Sequence, residues 1–212
     1  MNILHLDSGL FAGQSLTRSL AAKLVQSLQS RNADGAVIYR DLVKNAPAHL
    51  DATILLAAGK PEAERSDYER EQLHLSQTLL DELFAADVIV IGAPMYNFTI
   101  PSQLKAWLDR VLQAGKTFRY TSEGAEGLVK GKRAFIVSSR GGVYTSGPAA
   151  AMEHQESYLL AALAFIGITD VQVIRAEGVN MGEALKAQAL EQAEANIAGV
   201  RLEDAPQLQR CA

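Results

Sequence analysis

The sequence predicts a single α/β domain, a doubly wound parallel sheet with helices on both faces. Three observations point there. Short runs rich in Val and Ile alternate with longer amphipathic stretches along the whole chain. The first, third and fourth of those runs are apolar on both faces, as strands covered by helices on each side must be. No shift in composition, internal repeat or low-complexity tract divides the 212 residues, and a 48% hydrophobic share is enough to bury a sizeable core.

The apolar runs are Asn2–Leu6, Ala36–Tyr39, Val88–Gly92, Ala134–Ser138 and Val171–Arg175. The helical patterns between them are Ser15–Ser30, Asp67–Phe84, Ser102–Ala114, Met152–Phe165 and Glu183–Val200. Ser15 stands where a helix N-cap belongs. Pro94 closes the third run because it cannot donate to a ladder, and Pro101 suits the first turn of the helix that follows. Asn45–Glu64 reads as an irregular insertion, long enough for a lid or a partner-contacting arm. The domain is expected to span 1–204, and the tail 205–212 around Pro206 to fray. Five strands suit the flavodoxin-like order 2-1-3-4-5 better than the six-stranded dinucleotide order, with a crevice where the loops after strands one and three diverge.

Several functions are disfavoured. Twenty basic against 24 acidic residues give a net charge of −4, with no basic stripe for a phosphate backbone, so nucleic acid is not an expected partner. The lone cysteine, Cys211, cannot form an internal disulfide or a zinc cluster, which fits a reducing, cytoplasmic setting. The first apolar run has no basic region before it, so it reads as a strand and not a secretion signal. The longest uncharged apolar run, Val88–Met95, is too short to cross a bilayer. His5, His49, His74 and His154 show no metal-ligand spacing, and no Gly-x-Ser-x-Gly elbow is present. No Gly-x-Gly-x-x-Gly follows the first strand; Gly127–Arg133 lacks Walker spacing and precedes a strand. A monophosphate fits better than a dinucleotide held in the usual way.

Three loops fall at the carboxyl edge of this sheet. In Asp7–Arg18, two glycines, the Ser15 and Thr17 hydroxyls and the first-turn amides of a helix make an anion site, with Arg18 opposing the dipole unless an anion is near. In Gly92–Pro101, Met95, Tyr96, Asn97 and Phe98 offer apolar surface and backbone donors to a flat ring. In Ser139–Tyr144, Gly141 and Gly142 permit positive φ and a nest of amides for negative charge. Each loop alone has a plainer reading: a helix cap, an aromatic plug, a turn. Together they match the phosphate, ring faces and pyrimidine edge of FMN.

Ala93–Phe98, Thr117–Tyr120, Ser138–Gly142 and Gly167–Asp170 resemble, in order across nearly the whole chain, the FMN-dependent NADH-azoreductase family. This is a quinone-reductase branch of the flavodoxin-like superfamily. The resemblance implies a homodimer with FMN sites at the subunit interface, and NADH-dependent two-electron reduction of quinones and azo compounds. The family's FMN contacts fall on Gly9, Ser15, Leu16, Thr17, Met95, Tyr96, Asn97, Phe98, Ser139, Arg140, Gly141 and Gly142. Gly9 stands where relatives often have Ser, Leu16 where they often have Gln, and Thr17 where Ser is common. Tyr120 and Phe165 match aromatics of the relatives' substrate pocket, and Tyr144 joins Tyr120 as a candidate proton relay. No side-chain nucleophile or metal is expected, because hydride would pass through N5 of FMN in a ping-pong cycle, with the Asn97 amide near N5. Two other classes remain open: a hydrolase, and a single-electron carrier of the flavodoxin type.

Overall fold

The computed structural model describes residues 1–32 and 34–201. The expectations for the 205–212 tail and for Cys211 lie outside them. Five parallel strands, β1 (Ile3–Asp7), β2 (Val37–Asp41), β3 (Val88–Pro94), β6 (Arg133–Ser139) and β7 (Asp170–Ala176), form one sheet in the order β2-β1-β3-β6-β7. Counting only the strands of this sheet, that is the expected 2-1-3-4-5. The strands that read as apolar on both faces, β1, β3 and β6, are the central three, and the exposed edges fall to β2 and β7.

Pleating divides the core in two. Leu4, Leu6, Ile89, Ile91 and Ile136 point to the layer of α3 (Asp67–Ala85), α4 (Ser102–Val111) and α5 (Glu156–Phe165). Ile3, Val88, Val90, Phe135 and Val137 point to α1 (Leu16–Ser30) and α6 (Glu183–Gly199). On α1 the buried stripe is Leu20, Leu24 and Leu28, one helical turn apart, and each such side chain contributes ~1.5–3 kcal/mol on leaving water. Ser66 and Glu69 cap α3 reciprocally, which fixes where that helix begins.

Three elements differ from the sequence reading. The 45–64 insertion is not irregular. It carries α2 (Ala52–Ala57), capped by Asp51 through the Ile54 amide at 2.8 Å, and a 3-10 turn at Glu62–Glu64. Ile54 and Ala57 are buried and α2 packs on α3, while Leu55 and Leu56 stay exposed. A β-hairpin, β4 (Phe118–Thr121) with β5 (Gly124–Gly127), stands between α4 and β6. Its strands are four residues long and poor in branched residues, so no alternation marked them. Finally α5 begins at Glu156, not Met152, because Pro148–Met152 winds as a 3-10 turn and the carboxylate of Glu153 collects the amides of Gln155, Glu156 and Ser157. No described helix is long and apolar enough to cross a membrane.

Candidate functional site

Parallel register brings the ends of β1, β3 and β6 side by side: Asp7 lies opposite Gly92, and Pro94 opposite Ser139. β1 runs on to α1 on one face, whereas β3 runs on to α4 on the other, so the loops part at this point and leave a crevice. A cavity of about 170 Å³ opens there. Its lining comes from all three loops: Ser15 and Leu16, Met95 and Tyr96, Ser139 to Gly141. A second cavity of about 620 Å³ shares Phe11, Met95 and Tyr96 and continues past Asn97 to the start of α4.

The first loop folds tightly over the start of α1. Ser15 is the N-cap, its Oγ accepting the Arg18 amide at 3.4 Å and meeting Thr17 Oγ1 at 2.9 Å. A Cβ on Gly9 would stand 2.3 Å from Ser15 Oγ, so the glycine is what lets these hydroxyls turn under the loop. Arg18 does not await an anion. Its Nη1 and Nη2 donate to Asp41 at 2.8 and 2.7 Å, and its Nε donates to the Gly9 carbonyl at 3.0 Å. The guanidinium holds the Asp41 carboxyl down at about 2, and burial beside Asp7 pushes the Tyr39 hydroxyl up to about 12. This cluster, with His5, lines a cavity of about 880 Å³ that lies behind the loop along the β2 edge.

The second loop turns in two residues. Tyr96 and Thr99 exchange backbone hydrogen bonds at 3.0 and 3.2 Å, and both central residues are left-handed, Asn97 at φ 48° and Phe98 at φ 72°. That is the geometry of a primed turn, which Asn tolerates and Phe resists by ~1–2 kcal/mol. Strain of this kind persists where surrounding structure over-determines it, and it clusters at functional sites. Among the described residues the amides of Asn97 and Phe98 have no carbonyl partner. The Tyr96 hydroxyl accepts the Leu10 amide at 3.2 Å and so fastens this loop to the first.

The third loop is held by its carbonyls. Ser139, Arg140, Gly141 and Gly142 accept from Met95, Val179, Asn180 and Gly178 at 2.9 to 3.1 Å, which leaves the Gly141 and Gly142 amides without carbonyl partners among the described residues. Neither glycine has the positive φ that sequence reasoning allowed for. Side chains stand close instead: a Cβ would lie 2.7 Å from Asn180 Nδ2 at Gly141 and 3.3 Å from the Tyr144 ring at Gly142, so a substitution would push these two side chains aside. Arg140 turns inward, fully buried, to Gln155, Glu153, Glu156 and Glu177, and its amide donates to Ala176. It braces the loop and offers no free donor to the crevice.

Of the expected pocket aromatics, Tyr144 lies against the second loop, its ring edge-on to Phe98 with centroids 6.2 Å apart, though it lines neither cavity of the crevice. Tyr120 and Phe165 lie farther off. They pack around Phe118 at the hairpin, at 5.6 and 4.6 Å between centroids, and line neither cavity of the crevice.

Residues 1–200 match the family described by its flavodoxin-like fold. The chain belongs to that family. It is 53% identical over 197 residues to the FMN-dependent NADH:quinone oxidoreductase 1 of Idiomarina loihiensis, an alignment covering 93% of this chain and 98% of that protein. The crystal structure of an azoreductase from Bacillus anthracis strain Sterne superposes with a TM-score of 0.83 at 27% identity, over 94% of this chain and all (100%) of that one. An FMN-dependent NADH-azoreductase from Bacillus anthracis strain Ames Ancestor, solved in complex with FMN, gives a TM-score of 0.83 at 25% identity over 94% and 99% of the two chains. Within this flavodoxin-like framework, sequence reasoning passed over the residues that brace the loops from behind: Tyr39, Asp41, Glu153, Gln155 and Glu177. Each acts on a partner distant in the chain, so no local motif marks it.

Proposed function

We propose that this protein is an FMN-dependent NADH:quinone oxidoreductase that also cleaves azo compounds reductively, working as a cytoplasmic homodimer. One observation carries the reading: three loops from separate strands meet at one crevice and present backbone amides, hydroxyls and aromatic faces to it, while their charged side chains point elsewhere. A neutral, donor-rich groove of this kind fits a flavin mononucleotide. The close approach at Gly9 and the open amides of Gly141 and Gly142 are where such a group would be cradled.

Ser15, Leu16 and Thr17 would hold the phosphate through the α1 first turn and two hydroxyls, with the Gly9 backbone as the floor. Met95, Tyr96, Asn97 and Phe98 would carry the ring, and the Asn97 amide would donate to its N5 edge. Ser139, Gly141 and Gly142 would face the pyrimidine edge, where amide donors favour negative charge. When bound, FMN supplies the two-electron chemistry between NADH and a quinone or azo acceptor. Tyr144, beside Phe98, would orient the acceptor or move a proton to it. The separation of Tyr120 and Phe165 from the crevice in one chain favours a site completed between two copies, as does the exposed Leu55–Leu56 pair.

The test is the absorption spectrum of the purified protein, followed by anaerobic mixing with NADH alone. A bound flavin that bleaches before any acceptor is added is the expected result. A protein that neither retains nor takes up FMN overturns the proposal.

A further inference from the structure

We infer that Gln155 is a positioning residue that locks the ring platform of the second loop to the amide nest of the third, an inference that rests on the flavin reading above. The Gln155 side chain is fully buried. Its Nε2 donates to the Ala93 carbonyl at 2.6 Å, and its Oε1 accepts from Arg140 Nε at 2.9 Å. The orientation of the amide is chemically forced, because a carbonyl can only accept and a guanidinium can only donate. One planar group therefore joins the end of β3, where the platform begins, to the residue that braces the nest.

Its neighbours extend the clamp. The His154 amide donates to the Phe98 carbonyl at 3.0 Å, and the His154 carbonyl accepts from Thr99 Oγ1 at 2.8 Å. Glu153 accepts from Arg140 Nη2 at 3.0 Å and, through the amides that open α5, fixes the clamp to a helix. Three consecutive residues thus grip both loops, and the grip falls on the left-handed Asn97–Phe98 turn, the part of the site that would relax if released. A core amide serving only the fold would need its donors and acceptors satisfied by any partner. Here both ends of Gln155 go to the two loops whose spacing sets where a ring edge meets its donors.

The experiment compares amide hydrogen exchange in the wild type, Gln155→Leu, Gln155→Glu and Thr99→Val, with FMN affinity and midpoint potential measured on the same samples. Gln155→Glu keeps an acceptor for Arg140 but sets an oxygen against the Ala93 carbonyl; Thr99→Val removes one strand of the clamp near the surface, in case the Gln155 variants do not fold. Faster exchange at Tyr96, Thr99 and His154, with the central-strand amides of Ile89 and Ile136 unmoved, is the expected pattern. FMN affinity in Gln155→Leu falls about tenfold, the scale of one lost buried hydrogen bond, and the midpoint potential shifts. Exchange that rises in step at Ile89 and Ile136, or local loosening with affinity and potential unchanged, overturns the inference. A wild type that binds no FMN overturns the functional proposal instead, and the exchange contrast in flavin-free protein still reads the clamp by itself.

Discussion

Replacing Asp41 with Asn asks whether the phosphate-side loop is held from behind. The Arg18 fork meets both Asp41 oxygens, and the two side chains are only 13% and 8% exposed. The Arg18 hydrogen bond is the main reason the carboxyl sits at about 2 instead of its ordinary 3.8; burial works against it, and the Lys44 and Val43 amides add to it. At ~1.4 kcal/mol per tenfold, that depression is worth ~2.5 kcal/mol of stability. Asn keeps the shape and one acceptor, so the variant should lose ~2 kcal/mol, or ~4–8 °C of Tm for a chain of this size. The sign follows from the carboxylate being the favoured form in the folded state. The contribution is complete above the unfolded value near 4 and is lost as pH falls through about 2. Urea unfolding of both proteins at steps from pH 8 to pH 2 should show a constant gap down to about pH 4 that closes as the pH falls toward about 2. FMN affinity should fall as well, because Arg18 would no longer be held against the Gly9 carbonyl. Equal stability at pH 7, or a gap already closing between pH 7 and pH 5, would refute the reasoning.

The alkaline limb belongs to Tyr39, whose hydroxyl donates to Asp7 at 3.0 Å and is pushed up to about 12, so folding stability should decline as pH rises from 10 through 12. Tyr39→Phe should flatten that decline in thermal melts, and an unchanged slope would count against the assignment. Phe98→Gly removes the unfavourable left-handed Phe, and at 43% exposure little burial is lost, so stability should hold or rise by up to ~1 kcal/mol while FMN affinity drops. A loss of more than ~1 kcal/mol in chemical denaturation would mean the turn is not strained. Leu55→Asp combined with Leu56→Asp should shift sedimentation toward the monomer without lowering Tm, since both side chains are exposed in the single chain; an unaltered sedimentation coefficient would place the subunit contact elsewhere.

What the sequence made legible follows from how local each signal is. The three central sheet strands could be read because burial on both faces leaves continuous apolar runs, the two edge strands from shorter stretches of Val and Ile, and the order of all five followed from their number. The hairpin Phe118–Gly127 escaped because only Phe118 of the eight residues in its two strands is buried, so hydrophobicity carried no alternation. Helix α2 escaped because six residues give too short a window for a 3.6-residue period. Within the site, the residues presented at the crevice were legible, since each loop is a contiguous stretch. Their conformations were less so: Gly141 and Gly142 do not take a positive φ, and the left-handed burden falls on Asn97 and Phe98, where no glycine advertises it.

The distribution of charge explains why the bracing residues and the presenting residues differ in kind. Arg18 is neutralised by Asp41 on the β2 side, and Arg140 by three carboxylates on the β7 and α5 side, so both arginines nearest the crevice are already paired within the fold. Had either pointed inward, it would have fixed one ionic state of whatever the crevice holds. A redox group that gains and loses negative charge in each cycle is served better by amides, which stabilise charge through fixed dipoles and need no counter-ion to move. The same arrangement puts the strongest local bonds, the arginine–carboxylate forks, at the roots of the loops, where rigidity sets donor positions. The strained turn at Asn97–Phe98 can therefore hold its place without any charged group beside it.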